Sequence, residues 1–142
     1  MTTAPPASWS ADATTFLALR LRPGDDLRGA LEAAFAGRPE RAGFVVACVG
    51  SLSRAALRYA GRDDASVTEG PLEIIALSGT LSPDGPHLHA SVADAAGRMT
   101  GGHVLPGCVV RTTAEVVLGL TDAVAFSRPV DPATGYAELS IK

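Results

Sequence analysis

The spacing of apolar residues near the amino end of the chain predicts an amphipathic α-helix. Its apolar positions, which recur every four residues, are Leu27, Leu31 and Phe35. Asp25 or Asp26 can cap the amino end, because a carboxylate accepts hydrogen bonds from the free N–H groups of the first turn. Gly37 is expected to end the helix. One short helix is therefore predicted, with its apolar face on a core.

Most of the remaining chain alternates short apolar runs with turn residues, which is typical of antiparallel strands. The predicted strands cover residues 15–21, 43–49, 54–60, 71–80, 86–93, 98–105, 108–119 and 136–141. The run 43–49 is apolar almost throughout, which favours a strand buried on both faces. Residues 113–120 also fit a helical period, so a second helix stays open. The pattern predicts an α+β (α/β sandwich-like) fold: a largely antiparallel β-sheet with one or two packed helices.

The length of 142 residues suits one domain, and we assign it to residues 13–142 after a flexible amino-terminal arm at 1–12. The 12 Lys and Arg residues are scattered, and the net charge is -3. Binding to DNA is possible but disfavoured, because nucleic-acid binders usually carry a basic excess. No apolar run is long enough to span a membrane, so no membrane partner is expected.

The two cysteines and the start of the chain indicate the cellular compartment. Cys48 and Cys108 lie in apolar surroundings, as expected for buried, reduced thiols. Residues 1–15 lack the charged start and apolar run of a secretory signal peptide. A cytoplasmic protein is therefore expected.

All three histidines lie within 17 residues, in the segments Pro-His-Leu-His and Gly-Gly-His. Because residues i and i+2 of a strand point to the same face, His87 and His89 project together. A hairpin would bring His103 back beside them. Three neutral imidazoles on one face suit Zn²⁺ or another divalent transition metal, and leave a fourth coordination position for water or another ligand.

The position of His103 depends on the turn between the two strands. With a loop of three or five residues around Asp94–Gly97, we expect His103 to lie opposite His87 on the same face. A four-residue loop would turn it away, unless Gly101-Gly102 forms a bulge. The two glycines also allow another chain or a ligand to approach the backbone closely.

Other polar residues are further candidates for a site or an interface. Asp94 and Glu115 are candidate general bases for a water activated by the metal. Ser51, in the segment Gly-Ser-Leu-Ser, does not fit a nucleophile elbow and indicates a turn between two strands. The surroundings of Arg58, Arg111 and Glu115 are strand-like and largely apolar, which predicts ion pairs within the fold or across a subunit interface.

Ordered motifs accompany the histidines along most of the chain, from about Phe16 to Ile141. They are residues 50–53, 57–59, 72–80, 107–108 and 113–117. This set resembles the plants-and-prokaryotes conserved domain family, also called the PPC, DUF296 or PD1-like DNA-binding domain. The resemblance implies an α/β domain on a largely antiparallel sheet that assembles as a homotrimer. It also favours a metal at the histidines, which match the prokaryotic pattern.

Plant members of this family carry AT-hooks, which grip A·T-rich DNA, whereas the domain itself supplies oligomerisation and protein contacts. The nearest match here, Ala-Gly-Arg-Pro at 36–39, lacks the first arginine and is not an AT-hook. The partner-binding stretch of plant members is matched only in part, at Gly70, Glu73 and Ile74.

Three functions follow from these observations. The first is a trimeric DNA-binding or protein-interaction module with a three-histidine metal site. The second is a small zinc-dependent enzyme that uses the open coordination position. The third is a structural oligomer whose histidines bind no metal.

Overall fold

The computed structural model describes residues 8, 10 and 13–142, which are organised around an antiparallel six-stranded sheet. In chain order, the elements are β1 (Thr15–Leu21), α1 (Leu27–Ala36), β2 (Ala42–Arg58), β3 (Ser66–Ser82), β4 (Gly85–Ala93), β5 (Met99–Val104), β6 (Val109–Thr121), β7 (Phe126–Ser127) and β8 (Ser140–Ile141). The sheet order is β1-β6-β2-β3-β4-β5, while β7 and β8 form a small second sheet. The predicted antiparallel sheet is confirmed, although strands dominate and the described residues contain one helix. The predicted arm lies almost wholly outside the described residues.

One end of the large sheet closes on itself, because β5 pairs with β2 as well as with β4. Leu57 and Arg58 of β2 lie opposite Val104 and His103 of β5. The strands β2, β3, β4 and β5 therefore form a closed ring, from which β6 and β1 extend. This closure brings Arg58 beside His103, although 45 positions separate them in the sequence.

Helix α1 forms where the apolar spacing predicts it, and its predicted apolar face is buried. Asp26 caps it: one carboxylate oxygen accepts from the N–H of Gly29 at 2.8 Å, and the other accepts from the N–H of Gly107 at 2.6 Å. An N-cap of this kind stabilises a helix by about 1 kcal/mol. Gly37 ends the helix, as expected.

Strand β2 runs without interruption through the segment where a turn is expected, so this prediction was wrong. Register shifts at Gly50/Leu52 and at Leu52/Arg54 introduce bulges, which let a strand bend while its pairing continues. Ser51 is buried, and its hydroxyl lies 2.7 Å from that of Thr112. This hydrogen bond satisfies a polar group that a turn would have exposed to solvent.

The strands decide one open alternative and correct two other predictions. The predicted strand at 108–119 is confirmed as β6, which excludes the helical alternative for residues 113–120. The strand at 43–49 is not buried on both of its faces, because Val46 is 48% exposed and Val49 is 59% exposed. Within 136–141, Ser140–Ile141 alone forms a strand, and it pairs with β7.

Candidate metal centre

The three histidines converge at one place on the sheet. On β4, Leu88 and Ala90 are buried in the core, so the alternate residues His87 and His89 point away from it. The ring centroid of His87 lies 5.0 Å from that of His89 and 5.3 Å from that of His103. One potential ligand nitrogen from each ring lies within 4.8 Å of the other two. In tetrahedral coordination with metal–nitrogen bonds of about 2.1 Å, the ligand nitrogens lie about 3.4 Å apart. Small side-chain rotations can bring the three histidine nitrogens to this spacing.

The turn between β4 and β5 sets the position of His103. Residues 94–98 form a five-residue loop, in which the Asp94 carboxylate accepts hydrogen bonds from the N–H groups of Ala96 and Arg98. This loop pairs His103 with His89. The expected pairing with His87 was therefore wrong, whereas the expected common face is confirmed. No bulge at the glycine pair is needed.

Two glycines allow the strands that carry the histidines to approach closely. A Cβ at Gly79, whose φ is +142°, would overlap the carbonyl oxygen of His87 on the neighbouring strand. A Cβ at Gly102 would lie 2.6 Å from the carbonyl oxygen of Arg58. The glycine pair was expected to let another chain or a ligand approach the backbone, and at Gly102 the segment that approaches is β2 of the same chain.

The surroundings of the cluster favour neutral imidazoles. Burial lowers the pKa of His103 to about 4, with a further contribution from the positive charge of Arg58. Burial also lowers the pKa of His87, and Arg128 contributes in the same direction. Neutral imidazole is the form that binds metals, since its lone pair is free. The Nδ1 atom of His103 is buried and has no hydrogen-bond partner among the described residues.

The cluster lies in a cavity of about 700 Å³. One wall comes from the end of β2 and the following residues, including Arg58 and Tyr59. Another wall comes from the carboxyl-terminal segment, residues 126–141, and includes Arg128, Tyr136 and Glu138. We call this segment the C-terminal wall.

The C-terminal wall is anchored at Arg128. Its backbone N–H donates to the Asp84 carboxylate in the β3–β4 turn at 2.8 Å. Its guanidinium Nη2 donates to the carbonyl oxygen of Ala137 at 2.6 Å and to Nδ1 of His87 at 3.0 Å. Its Nη1 is buried, with no partner among the described residues. Arg128 thus connects the wall to the cluster and retains unused donors.

The other predicted site residues are dispersed, and of the five non-histidine candidates Arg58 alone lines the cavity. Ser51 and Glu73 lie opposite each other on β2 and β3. Arg111 and Glu115 are exposed on β6. Within the described part of the chain, Arg58, Arg111 and Glu115 form no ion pair, so pairing within the fold is not seen.

Asp94, one of the two candidate bases, is absent from the cavity lining. Its carboxylate is engaged in the β4–β5 turn, where hydrogen bonds from the backbone of Arg98 and Ala96 lower its pKa. Glu138 is a carboxylate that does line the cavity. Neither Glu138 nor Arg128 stands out in the sequence, because both follow the last long strand in a segment without regular periodicity.

The model of the Plants and Prokaryotes Conserved (PCC) domain matches residues 10–122. The chain belongs to this family. A hypothetical protein from Salmonella enterica is 44% identical in sequence, and its solved structure superimposes with a TM-score of 0.90 over 94% of this chain and 96% of that one. The whole C-terminal wall, residues 126–141, lies beyond the part of the chain that the family model matches.

Two further structures show the same fold. A metal-containing protein from Archaeoglobus fulgidus is 25% identical, with a TM-score of 0.74 over 89% of this chain and 93% of that one. A structure from Bacteroides thetaiotaomicron, described as a candidate DNA-binding protein, is 19% identical, with a TM-score of 0.75 over 88% of this chain and 91% of that one.

The domain also resembles part of a larger protein. It is 54% identical over 124 residues to the bifunctional protein GlmU of a Synechococcus strain, and this match covers 87% of the chain. The chain spans about a fifth of the length of that relative. Separately, no helix among the described residues is both long and apolar enough to cross a membrane.

Proposed function

We propose that the protein is a trimeric PCC-domain module that binds Zn²⁺ or another divalent transition metal through His87, His89 and His103. The observation that carries the proposal is the convergence of three ring nitrogens within 4.8 Å of one another. The metal-containing relative from Archaeoglobus fulgidus supports it.

The residues fit a borderline divalent metal in three respects. Imidazole nitrogen is a preferred ligand of such ions, and burial keeps His87 and His103 neutral. The buried Nδ1 of His103 has no protein partner among the described residues, and coordination there would supply one. Among the residues that the structure describes, no carboxylate or thiolate joins the cluster as a fourth ligand. A bound metal would supply a Lewis-acidic centre with an open position.

Assembly as a trimer is supported by an exposed apolar surface on β1, β6 and β2. We call it the outer apolar face, and its residues are Phe16, Ala18, Ala47, Val49 and Val117. Phe16 is 65% exposed and Val49 is 59% exposed. Contiguous apolar patches on soluble domains commonly mark interfaces with other proteins.

The remaining parts of the proposal concern partners and location. We assign residues 13–142 to the module and 1–12 to an arm, and place the protein in the cytoplasm, where the free thiols Cys48 and Cys108 would stay reduced. DNA is a weaker candidate partner than protein, because the net charge is -3 and no AT-hook motif is recognised in the sequence.

A metal-dependent enzyme is the second candidate, and Glu138 is the observation that favours it. Its carboxylate lines the same cavity as the histidines and accepts a hydrogen bond from Thr134 at 3.1 Å. A carboxylate in such a position can take a proton from a water or a substrate.

Metal analysis of untagged protein after dialysis tests the proposed module. We expect about one divalent ion per chain in the native protein. In His89→Ala, the affinity for Zn²⁺ should fall by about a hundredfold or more. His89 is exposed, so this substitution should leave the fold intact. Arg22→Gln, at an exposed position outside the cavity lining, is the matched control and should retain the metal. A native protein that binds no divalent ion would refute the proposal.

A further inference from the structure

We propose that the cavity binds a small anion through a carboxylate or phosphate group, held between the metal and the guanidinium groups of Arg58 and Arg128. This inference rests on the proposed metal site and adds the chemical class of its ligand. Three observations carry it. Arg58 and Arg128 have no carboxylate partner among the described residues, and Arg128 would compete with a metal for His87. The charge and the shape of the cavity also suit a small anion.

The arginines of the described residues fall into three groups. The first group forms ion pairs with carboxylates, and its members are Arg28, Arg38, Arg54, Arg62 and Arg98. The second has no ion pair but is exposed to solvent, and its members are Arg20, Arg22, Arg41 and Arg111. The third group is Arg58 and Arg128, which are half-buried and have no carboxylate partner in the described part of the chain. Both line the histidine cavity.

A half-buried guanidinium without a counter-ion is unfavourable, since it loses hydration without gaining a partner. The Arg58 side chain makes no hydrogen bond to the described residues but keeps some contact with solvent, whereas Nη1 of Arg128 is buried without a partner among them. An anionic oxygen in the cavity would satisfy both groups with charge-assisted hydrogen bonds. Arginine suits carboxylate and phosphate especially well, because its planar donors match two oxygens at once.

Metal binding would leave a further N–H donor of Arg128 without an acceptor. A neutral imidazole has one lone pair, and that of His87 Nδ1 now accepts a hydrogen bond from Nη2 of Arg128. If a metal takes Nδ1, this hydrogen bond is lost. If a metal takes the other ring nitrogen, the proton moves to Nδ1, which can no longer accept. In either case Arg128 loses an acceptor when the metal binds, and an anion would replace it.

The charge balance of the cavity points in the same direction. Three arginines line it, namely Arg58, Arg62 and Arg128, against the two carboxylates of Asp63 and Glu138. A divalent metal would add two further positive charges. The coordination position left open by three histidines suits an anionic oxygen, so that one group could contact the metal and the arginines together.

The shape of the site favours a small ligand over a polyanion. A cavity of about 700 Å³ lies within the range of small-molecule sites. The net charge of -3 would repel the long run of phosphates in DNA. Tyr136 also lines the cavity and is 67% exposed, which places an aromatic ring where the remainder of a ligand could lie against it.

Calorimetric titration of the metal-loaded full chain with inorganic phosphate, and separately with acetate, tests the inference. The metal content is measured first on the same samples. We expect saturable binding of at least one of the two anions to the native protein. Its affinity should fall by about tenfold or more in Arg58→Gln and in Arg128→Gln, because each removes a charge-assisted hydrogen bond. Arg22→Gln removes an equal charge from an exposed position outside the cavity and should bind the anion as the native protein does.

Cobalt-substituted protein supplies a second readout, since the visible spectrum of Co²⁺ reports changes in its coordination. The anion should change this spectrum in native protein at concentrations that match the calorimetry. Arg58→Lys, which keeps a positive charge, should recover part of the affinity lost in Arg58→Gln. Such recovery would show that the loss is not simply misfolding.

The outcomes separate this inference from the proposed metal site. Protein that holds one metal per chain but binds neither anion, or binds them equally well in all variants, overturns the inference and leaves the metal module intact. Protein that holds no metal overturns both. Displacement of bound phosphate by a short DNA duplex would assign the site to a nucleic-acid backbone and overturn the small-ligand inference.

Discussion

The histidine cavity and the outer apolar face are built on the same strand, yet they have opposite chemistry. The amino-terminal half of β2 contributes exposed Val49 to the apolar face, whereas its last residue, Arg58, lines the cavity. The apolar face is open, and the exposed charged residues Arg20 and Glu115 lie beside Val49 at its edge. The cavity is concave and holds three imidazoles together with Arg58 and Arg128, which have no carboxylate partner among the described residues. This difference is the basis on which we propose a protein partner for one surface and an ion with a small ligand for the other.

The largest effect is expected from a charge on the outer apolar face. In Val49→Asp, a carboxylate would have to be buried in the proposed interface, so the trimer should dissociate into single chains. Sedimentation or light scattering would show a threefold lower mass, with unchanged metal content. Val67→Asp is the control, because Val67 is 47% exposed but lies on β3, outside this face. A Val49→Asp protein that remains trimeric would place the interface elsewhere.

The next effect concerns Cys48, which lies behind the apolar face. Burial raises the pKa of its thiol to about 11, against an ordinary value of 9.0. Because the thiolate is the reactive form, alkylation near neutral pH should be about a hundredfold slower than in the denatured protein. The rate measured with iodoacetamide should rise about tenfold per pH unit. Rapid modification of native Cys48 at neutral pH would contradict this environment.

Gly102→Ala should affect the cavity and leave the apolar face unchanged. The added Cβ would lie 2.6 Å from the carbonyl oxygen of Arg58, so β5 must move away from β2. We expect a loss of about 1–3 kcal/mol in the free energy of unfolding, as for other overpacked sites. Metal affinity should also fall, because His103 moves with β5.

Gly37→Ala provides the comparison for Gly102→Ala. Its added Cβ would meet its neighbours at 3.7 Å and 3.8 Å, which are ordinary contacts, and its φ is -78°. Chemical denaturation and metal titration of both variants would measure the difference. Equal stability of the two variants would show that the approach of β5 to β2 does not constrain the cavity.

The smallest effect is a dependence of stability on pH in metal-free protein. The pKa of His103 is about 4 in the folded chain, against an ordinary value of 6.5. Between these values the unfolded chain binds a proton that the folded chain does not, so stability falls as the pH is lowered from 6.5 to 4. Above pH 6.5 this contribution is absent.

Thermal unfolding of chelator-treated protein would measure this dependence. His103→Asn cannot be protonated in this range, so its Tm should fall less than that of the native protein between pH 6.5 and 4. The difference should be a few degrees at most, because His103 is only partly buried. Identical pH profiles would show that His103 is not held neutral by its surroundings.

Local sequence patterns predicted those parts of the fold that depend on neighbouring residues. The helix from Leu27 follows from apolar spacing and from the cap at Asp26. The common face of His87 and His89 follows from the alternation of side chains along a strand. Because all three histidines lie in one hairpin, the sequence alone predicts the candidate site. The register predicted for His103 was wrong by two residues, because Asp94 accepts hydrogen bonds from two N–H groups and fixes the position of the turn.

Features that depend on contacts between residues far apart in the sequence were not predicted, because no local pattern reports them. The turn predicted at Ser51 does not form, because its hydroxyl finds a partner in Thr112, 61 positions along the chain. Arg128 and Glu138 reach the cavity only after the chain has folded back and bonded to Asp84. No periodicity in 122–142 indicates this return.

The sequence by itself predicted a largely antiparallel sheet with one or two helices, and it indicated three histidines in one hairpin as candidate metal ligands. Only the tertiary structure decided which groups surround those imidazoles. Side-chain alternation and helix capping act between residues a few positions apart, and can therefore be read along the chain. The cavity depends on the pairing of β2 with β5 and on the return of the C-terminal wall, and these contacts arise only from packing of the whole chain.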